Sequence, residues 1–220
     1  KQLGTNGGGY FGPNSTHPFE NPSLFTAFVE ASAILLIPMA CVWLFGRMTR
    51  RPGDARVIFA AMTALFLLFS IPATQIELAP NPAVAGLDVA AGPNLEGKEL
   101  RFGDAVGSFW AVATTSTSNG SVAAMHDSLQ PLTGLIALGG MFLSCIYGGV
   151  GVGMINMFLY VILAVFLAGT MVGRTPEYLG RKVEAREMTL ATLALLLPPL
   201  LILGGTAVFA ATDLGASTTS

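Results

Sequence analysis

Three apolar stretches, Leu24–Phe45, Val57–Thr74 and Met188–Ala211, each approach the roughly 20 residues that cross a bilayer as a helix. Between the last two, Leu129–Val172 stays apolar far longer. As one helix it would run about 60 Å, twice a hydrocarbon core of about 30 Å. The pattern therefore predicts a break, expected at Gly148-Gly149-Val150-Gly151-Val152-Gly153. A shorter segment, Asp104–Thr114, would make a helix of about 16 Å, enough to dip into a membrane but not to cross it.

Composition sharpens this picture. Hydrophobic residues make up 52% of the chain and charged residues 11%, against about 25% charged in a soluble domain. Mean hydropathy is +0.64. A polytopic, all-α membrane protein with lipid as its surroundings is expected. The net charge of −2 gives a nucleic acid nothing to bind. Cys41 and Cys145 lie in apolar runs and read as small core residues rather than as a disulfide or a transition-metal pair. The chain opens at Lys1, almost on a glycine-rich loop, and is read as a fragment of a longer protein.

Charge sets the expected topology. Gly46–Arg56 carries Arg47, Arg50, Arg51 and Arg56, and Gly173–Glu187 carries Arg174, Arg181, Lys182 and Arg186; both are short, basic and hence cytoplasmic. Gln75–Gly103 is proline-rich, holds Glu77, Asp88, Glu96 and Glu99 against Lys98 and Arg101, and is expected to be an external loop. An odd number of crossings must then join Met125 to Arg174. Leu129–Val172 is expected to be one crossing, interrupted at membrane depth by its glycines. Irregular backbone survives there only when buried in protein or lining a watery path.

Two loops stand out against this frame. Thr5-Asn6-Gly7-Gly8-Gly9 and Thr117-Ser118-Asn119-Gly120-Ser121 share a pattern of Thr and Gly, and each is followed by a His (His17, His126) and an amide-Pro pair (Asn21-Pro22, Gln130-Pro131) ahead of an apolar segment. Glycine tolerates the angles that turn carbonyls inward, and such loops offer backbone oxygens to a dehydrated cation. Aligned on their sequences, Thr5 matches Thr117 and Gly8 matches Gly120. The half-helix Asp104–Thr114 would aim its partially negative C-terminus at the second loop and favour a cation. Span, external loop, half-helix, filter loop, span is one repeat unit, with copies offset by about 110 residues.

Other candidates have plainer readings beside the functional one. Glu30, within a span, should face protein or the water path, as an ion ligand or a hydrogen-bonding group. His17 and His126 are expected to structure loops. Pro22 and Pro131 are expected at first-turn positions of helices. Arg174, at a membrane edge, is either a solvated turn residue or an electrostatic barrier to leaving cations.

The two loops, the run His17-Pro18-Phe19-Glu20-Asn21-Pro22, Gly148–Gly153 and Gly173-Arg174-Thr175-Pro176-Glu177-Tyr178-Leu179-Gly180 together resemble the KdpA family. These are the potassium-translocating subunits of bacterial Kdp-type potassium-transporting ATPases. The resemblance implies helix–pore loop–helix repeats of the potassium-channel-like (Trk/Ktr/Kdp) superfamily. Residues 1–56 would end a second repeat, 57–187 would form the third and 188–220 would open the fourth. It implies a potassium filter formed by Thr5, Asn6, Gly7, Gly8 and Gly9 with Thr115, Ser116, Thr117, Ser118, Asn119 and Gly120. A gating loop would hold Gly148, Gly149, Gly151 and Gly153, with Glu30 and Arg174 in electrostatic roles. Some members carry Cys at Asn119, so that side chain is not expected to bind the ion. Some carry Glu where Ser144 or Cys145 stands, which weakens the case for such a charge here. The resemblance further implies a KdpB-like P-type ATPase partner, a KdpC-like subunit and a small single-helix subunit in the bacterial inner membrane. Potassium would be the transported ion, and this chain would bind no nucleotide and hydrolyse nothing.

Three rivals are weighed. A gradient-driven Trk/Ktr-type transporter shares the filter logic, but the Asn6–Gly9 loop and the GRTPEYLG run argue against it. A broken-helix solute transporter would need polar side chains at midplane that this chain lacks. An intramembrane serine protease using Ser118 or Ser121 would need a His at membrane depth, and both histidines fall in external loops.

Overall fold

The computed structural model describes residues 1–82 and 92–212; Asp88 lies outside them. Among the described residues six α-helices form in order: α1 (Leu24–Met48), α2 (Pro52–Leu78), α3 (Val106–Ser116), α4 (Pro131–Leu143), α5 (Val152–Val172) and α6 (Ala185–Ala210). A short hairpin, β1 (Glu177–Tyr178) and β2 (Arg181–Lys182), precedes α6. The chain divides into two compact units, Lys1–Ile155 and Asn156–Ser220.

In the first unit, α1 starts at a capping box in which Ser23 accepts from the Thr26 amide and Thr26 accepts from the Ser23 amide. Pro22 is therefore one residue outside the cap. It does not take the expected first-turn position, whereas Pro131 does. A tight basic turn with Arg50 in the left-handed region (φ 56°) reverses the chain into α2. The reversal depends on Gly46, where a Cβ would stand 2.5 Å from the Cβ of Ala55. Each helix buries one stripe: Ala27, Ala31, Ile34, Pro38 and Val42 on α1, and Ala55, Ile58, Met62, Phe66, Ser70, Ala73 and Glu77 on α2. The other faces present Leu36, Leu44, Leu67 and Leu68 outward. That suits a lipid solvent.

α3 is buried almost all round, with Trp110 fully enclosed, and packs on α1, α2 and α4. At eleven residues it is about 16 Å long, too short to cross a hydrocarbon core of about 30 Å. Gly107 lets it close on the strand-like segment after it, since a Cβ there would lie 2.8 Å from the Cβ of Ala124.

α1, α2, α5 and α6 are each long and apolar enough to cross a membrane. Two expectations need correction. First, Gln75–Leu78 is helical, the last turn of α2. Glu77 is fully buried rather than in an external loop, and its carboxylate pairs with Lys98 Nζ at 2.9 Å. Second, the break in Leu129–Val172 begins at Ser144 (φ 46°), not at Gly148, and Gly153 already belongs to α5. The left-handed Ser144 ends α4, so the interruption runs from residue 144 to 151. The fold class is the expected helical one, to which the short hairpin is a small addition. Leu179 (φ 53°) and Gly180 (φ 78°) join β1 to β2 in a two-residue turn, the geometry that suits a twisted hairpin.

The second unit holds α5 from Asn156 onward, this hairpin and α6. Gly169 makes room for Pro176, the Val183 amide donates to the Pro176 carbonyl (2.9 Å), and Phe158 meets Tyr178 with ring centres 5.7 Å apart.

Candidate functional site

The second loop is the unwinding end of α3. Thr117 is the C-cap, Ser118 turns left-handed (φ 54°), and Ser118 and Asn119 donate their amides back to the carbonyls of Thr115 (3.3 Å) and Thr114 (2.9 Å). This is a Schellman end, which satisfies orphan carbonyls while turning the chain sharply. Thr115 and Ser116 thus lie in the last helical turn rather than in the loop. The Thr115 and Thr117 hydroxyls donate to the Ala111 (2.6 Å) and Ala113 (2.7 Å) carbonyls and stiffen that turn.

The first loop repeats the same device. Thr5 is left-handed (φ 49°), and the amides of Thr5 and Asn6 donate to the carbonyls of Gln2 (3.0 Å) and Lys1 (3.2 Å). The backbone pairs Thr5 with Ser118, Asn6 with Asn119 and Gly7 (φ 64°) with Gly120 (φ 85°). This register lies one residue away from the alignment that matches Thr5 to Thr117 and Gly8 to Gly120. Two identities support either alignment, so side chains alone leave it open; the helix-end hydrogen bonds decide it.

The two loops meet edge to edge. A Cβ on Gly7 would stand 2.1 Å from the Asn119 carbonyl oxygen and 2.7 Å from the Gly120 carbonyl carbon. Only glycine fits there. The Gly7 amide donates to Asn119 Oδ1 (2.8 Å), and Asn119 Nδ2 donates to Gln2 Oε1 (2.7 Å) and Ser121 Oγ (2.6 Å). Trp110 Nε1 donates to the same Ser121 oxygen at 3.1 Å. Gln2 Nε2 donates to Glu30 Oε2 (2.9 Å) and Ser15 Oγ (2.6 Å), and the Ser15 hydroxyl donates to Glu30 Oε2 (3.1 Å). Glu30 therefore reaches the loops through Gln2 and Ser15. At Gly8 and Gly120, by contrast, a Cβ would meet nothing within 4 Å. Gly120 lines a cavity of about 280 Å³ with Thr114, Thr115, Ser118 and His126. The buried Thr114 hydroxyl has no hydrogen-bond partner among the described residues.

Each loop has an outer brace. Glu20 accepts from the Tyr10 (2.5 Å) and Phe11 (3.3 Å) amides and pairs with Lys1. The Lys1 ammonium and these amides hold the Glu20 carboxyl below the usual carboxylate range. His17 stacks on Phe11 at 3.6 Å and accepts the Phe19 amide, so it structures the loop as expected. His126 is exposed, and its carbonyl accepts the Leu129 amide at 3.3 Å. Behind the second loop, Glu77 accepts from Asn94 Nδ2 (2.9 Å) and the Gln130 amide (2.7 Å) besides pairing with Lys98. Lys98 bridges to Ala124. Asn21 and Gln130 are both buried and both pin backbone: Asn21 donates to the Ser15 carbonyl, Gln130 to those of Ile76 and Ala79.

Of the interruption, Gly149 (φ 36°) donates its amide to the Thr117 carbonyl at 2.7 Å, so this segment touches the second loop directly. Gly148 and Gly153 cross so closely that a Cβ on Gly153 would stand 2.1 Å from the Gly148 nitrogen. Tyr147, left-handed (φ 50°) and buried, bonds Thr63 Oγ1 (2.5 Å) and donates to the Phe59 carbonyl (3.2 Å), anchoring the segment to α2. Arg174 is exposed after α5, its amide donating to the Gly169 carbonyl at 2.9 Å.

Sequence reasoning did not find Gln2, Trp110, Tyr147 or the Glu77–Lys98 pair. A signal existed for Glu77, which continues the buried spacing of Phe66, Ser70 and Ala73.

A family model described as KdpA, potassium-transporting ATPase A subunit, matches residues 1–220. Proteins named potassium-transporting ATPase potassium-binding subunit are similar. That of Pseudomonas entomophila is 53% identical over 210 residues, covering 94% of this chain and 37% of the relative. That of Methylococcus capsulatus is 52% identical over 219 residues (99% and 37%). That of Flavobacterium psychrophilum is 51% identical over 218 residues (97% and 38%). The chain spans less than two fifths of these relatives.

Proposed function

The chain belongs to the KdpA family of potassium-transporting ATPase A subunits, and on that premise we propose that its two loops are part of a potassium selectivity filter. A potassium ion stripped of water would be held by backbone oxygens of Thr5–Gly9 and Thr117–Gly120. Selectivity over sodium would come from the number and field strength of those oxygens. Residues 1–56, 57–187 and 188–220 would be the end of one repeat, a whole repeat and the start of another. The glycine segment from 148 to 153 would gate the path below the filter, with the Gly149–Thr117 hydrogen bond as its contact point. Arg174 would act on cations beyond it. The ion would pass to a KdpB-like P-type ATPase subunit that does the hydrolysis, with a KdpC-like and a single-helix subunit completing the complex in the bacterial inner membrane.

One observation carries this reading: the two loops share one backbone turn and are hydrogen-bonded to each other through Gly7 and Asn119. The second loop leaves the C-terminus of α3, where carbonyls and a negative dipole end suit a cation, and the first loop adds its own backbone beside it. The test is growth at micromolar potassium of a bacterium without its own uptake systems. The full-length protein is expressed with and without its pump subunit. Rescue only with the partner is expected. Rescue by the full-length protein alone would point to a gradient-driven Trk/Ktr-type transporter instead.

A further inference from the structure

We propose that Asn119 is a specificity-determining positioning residue, whose amide fixes the spacing of the two filter loops through a polarised relay from Glu30. The proposal rests on the filter reading and deepens it. Asn119 is 2% exposed, and both its Nδ2 hydrogens and its Oδ1 are engaged. The side chain is thus committed to holding its neighbours, with both donors used and Oδ1 tied to the Gly7 amide.

The direction of the relay is dictated at both ends. The Glu30 carboxylate is acceptor-only, so Gln2 must turn Nε2 toward it and Oε1 toward Asn119. The Gly7 amide is donor-only, so Asn119 must turn Oδ1 toward it and Nδ2 toward Gln2. Neither amide can flip without setting like against like at a buried position, which is costly. Trp110 adds a second fixed point, because its donor-only indole holds Ser121 Oγ, the other acceptor for Asn119. The Asn119 amide is thus clamped between α1, α3 and the first loop. Gly7 hangs from it by one hydrogen bond while its α-carbon rests on the Asn119–Gly120 peptide. Any change at Asn119 shifts one row of filter carbonyls relative to the other. The equivalent residue in the first loop, Asn6, is exposed and makes no such contact with described residues, so the device acts in one direction here.

The test uses the full-length subunit in its complex and reads apparent KM for potassium and potassium-over-sodium discrimination in ATP-driven uptake. Asn119→Asp keeps the shape and the acceptor for Gly7 but loses both donors. We expect its discrimination to fall about tenfold, with KM changed more than maximal rate. Adding Glu30→Gln lets Gln2 reverse, so that it accepts from residue 30 and donates to residue 119. The double variant should regain discrimination, whereas Glu30→Gln with Asn119→Leu should not. If Asn119 variants fail to assemble, Gln2→Leu, one step further from the filter, must show the same loss of discrimination. Gly120→Asp in the same assay tests the filter itself. Normal KM in Gly120→Asp overturns the filter reading. A raised KM in Gly120→Asp with normal discrimination in Asn119→Asp, or in Gln2→Leu, overturns the relay alone.

Discussion

The two glycine-rich loops have one backbone shape and two kinds of support. The second ends a buried helix: Thr117, Asn119 and Ser121 are essentially inaccessible, and the Glu77–Lys98 pair behind them is desolvated. The first is largely exposed, with Tyr10 at 92%, and is braced by Glu20 and by the second loop itself. A turn can therefore be specified locally by its helix end while its position is borrowed from a neighbour. Damage to the second loop should reach the first; the reverse should be weak.

The sharpest way to break that asymmetry is to orphan the buried pair. Glu77→Met or Lys98→Met alone leaves an uncompensated buried charge and should cost about 3–5 kcal/mol. The double variant should recover part of it, since Asn94 Nδ2 and the Gln130 amide still lose their acceptor. Thermal unfolding of the purified complex reads this, and equal loss in the double variant would contradict it.

A smaller effect separates two neighbouring glycines. Gly7→Ala forces a Cβ into the Asn119–Ser121 backbone and must push the loops apart. Gly8→Ala meets open space and carries only the left-handed penalty of about 1–2 kcal/mol. Potassium affinity should therefore fall at least tenfold further in Gly7→Ala than in Gly8→Ala, about 1.4 kcal/mol more. Equal affinities would favour the alternative register, in which Gly8 rather than Gly7 matches Gly120.

The smallest effect is at the first loop's outer brace. Glu20→Gln should weaken potassium affinity less than about threefold. Because the Glu20 carboxyl is held below its ordinary value near 4.5, its hold on the Tyr10 and Phe11 amides is complete above that pH and is lost as pH falls through the lowered value. Wild type should therefore lose its advantage over Glu20→Gln only in acid below about pH 4.5. An advantage already gone at pH 6 would contradict this.

Much of this was legible in the sequence. Apolar length marked the spans, glycine and threonine marked both loops, and the short Asp104–Thr114 run marked the half-helix. The rest turned on interactions that no local pattern states. Glu77 reads as a loop acid because it borders a charged, proline-rich segment, yet Lys98 and Asn94 let it stay buried in α2. The break starts at Ser144 because a left-handed serine ends α4 before the glycines begin. The register of the loops depends on backbone hydrogen bonds to Lys1, Gln2, Thr114 and Thr115, which carry no side-chain signature.

Anomalous scattering from the full-length complex would locate a heavy potassium analogue, thallium or rubidium, directly. A peak is expected in contact with backbone oxygens of both loops, within reach of the Gly7 and Gly120 peptides, and displaced by excess potassium. A potassium-displaceable peak that touches neither loop would contradict it.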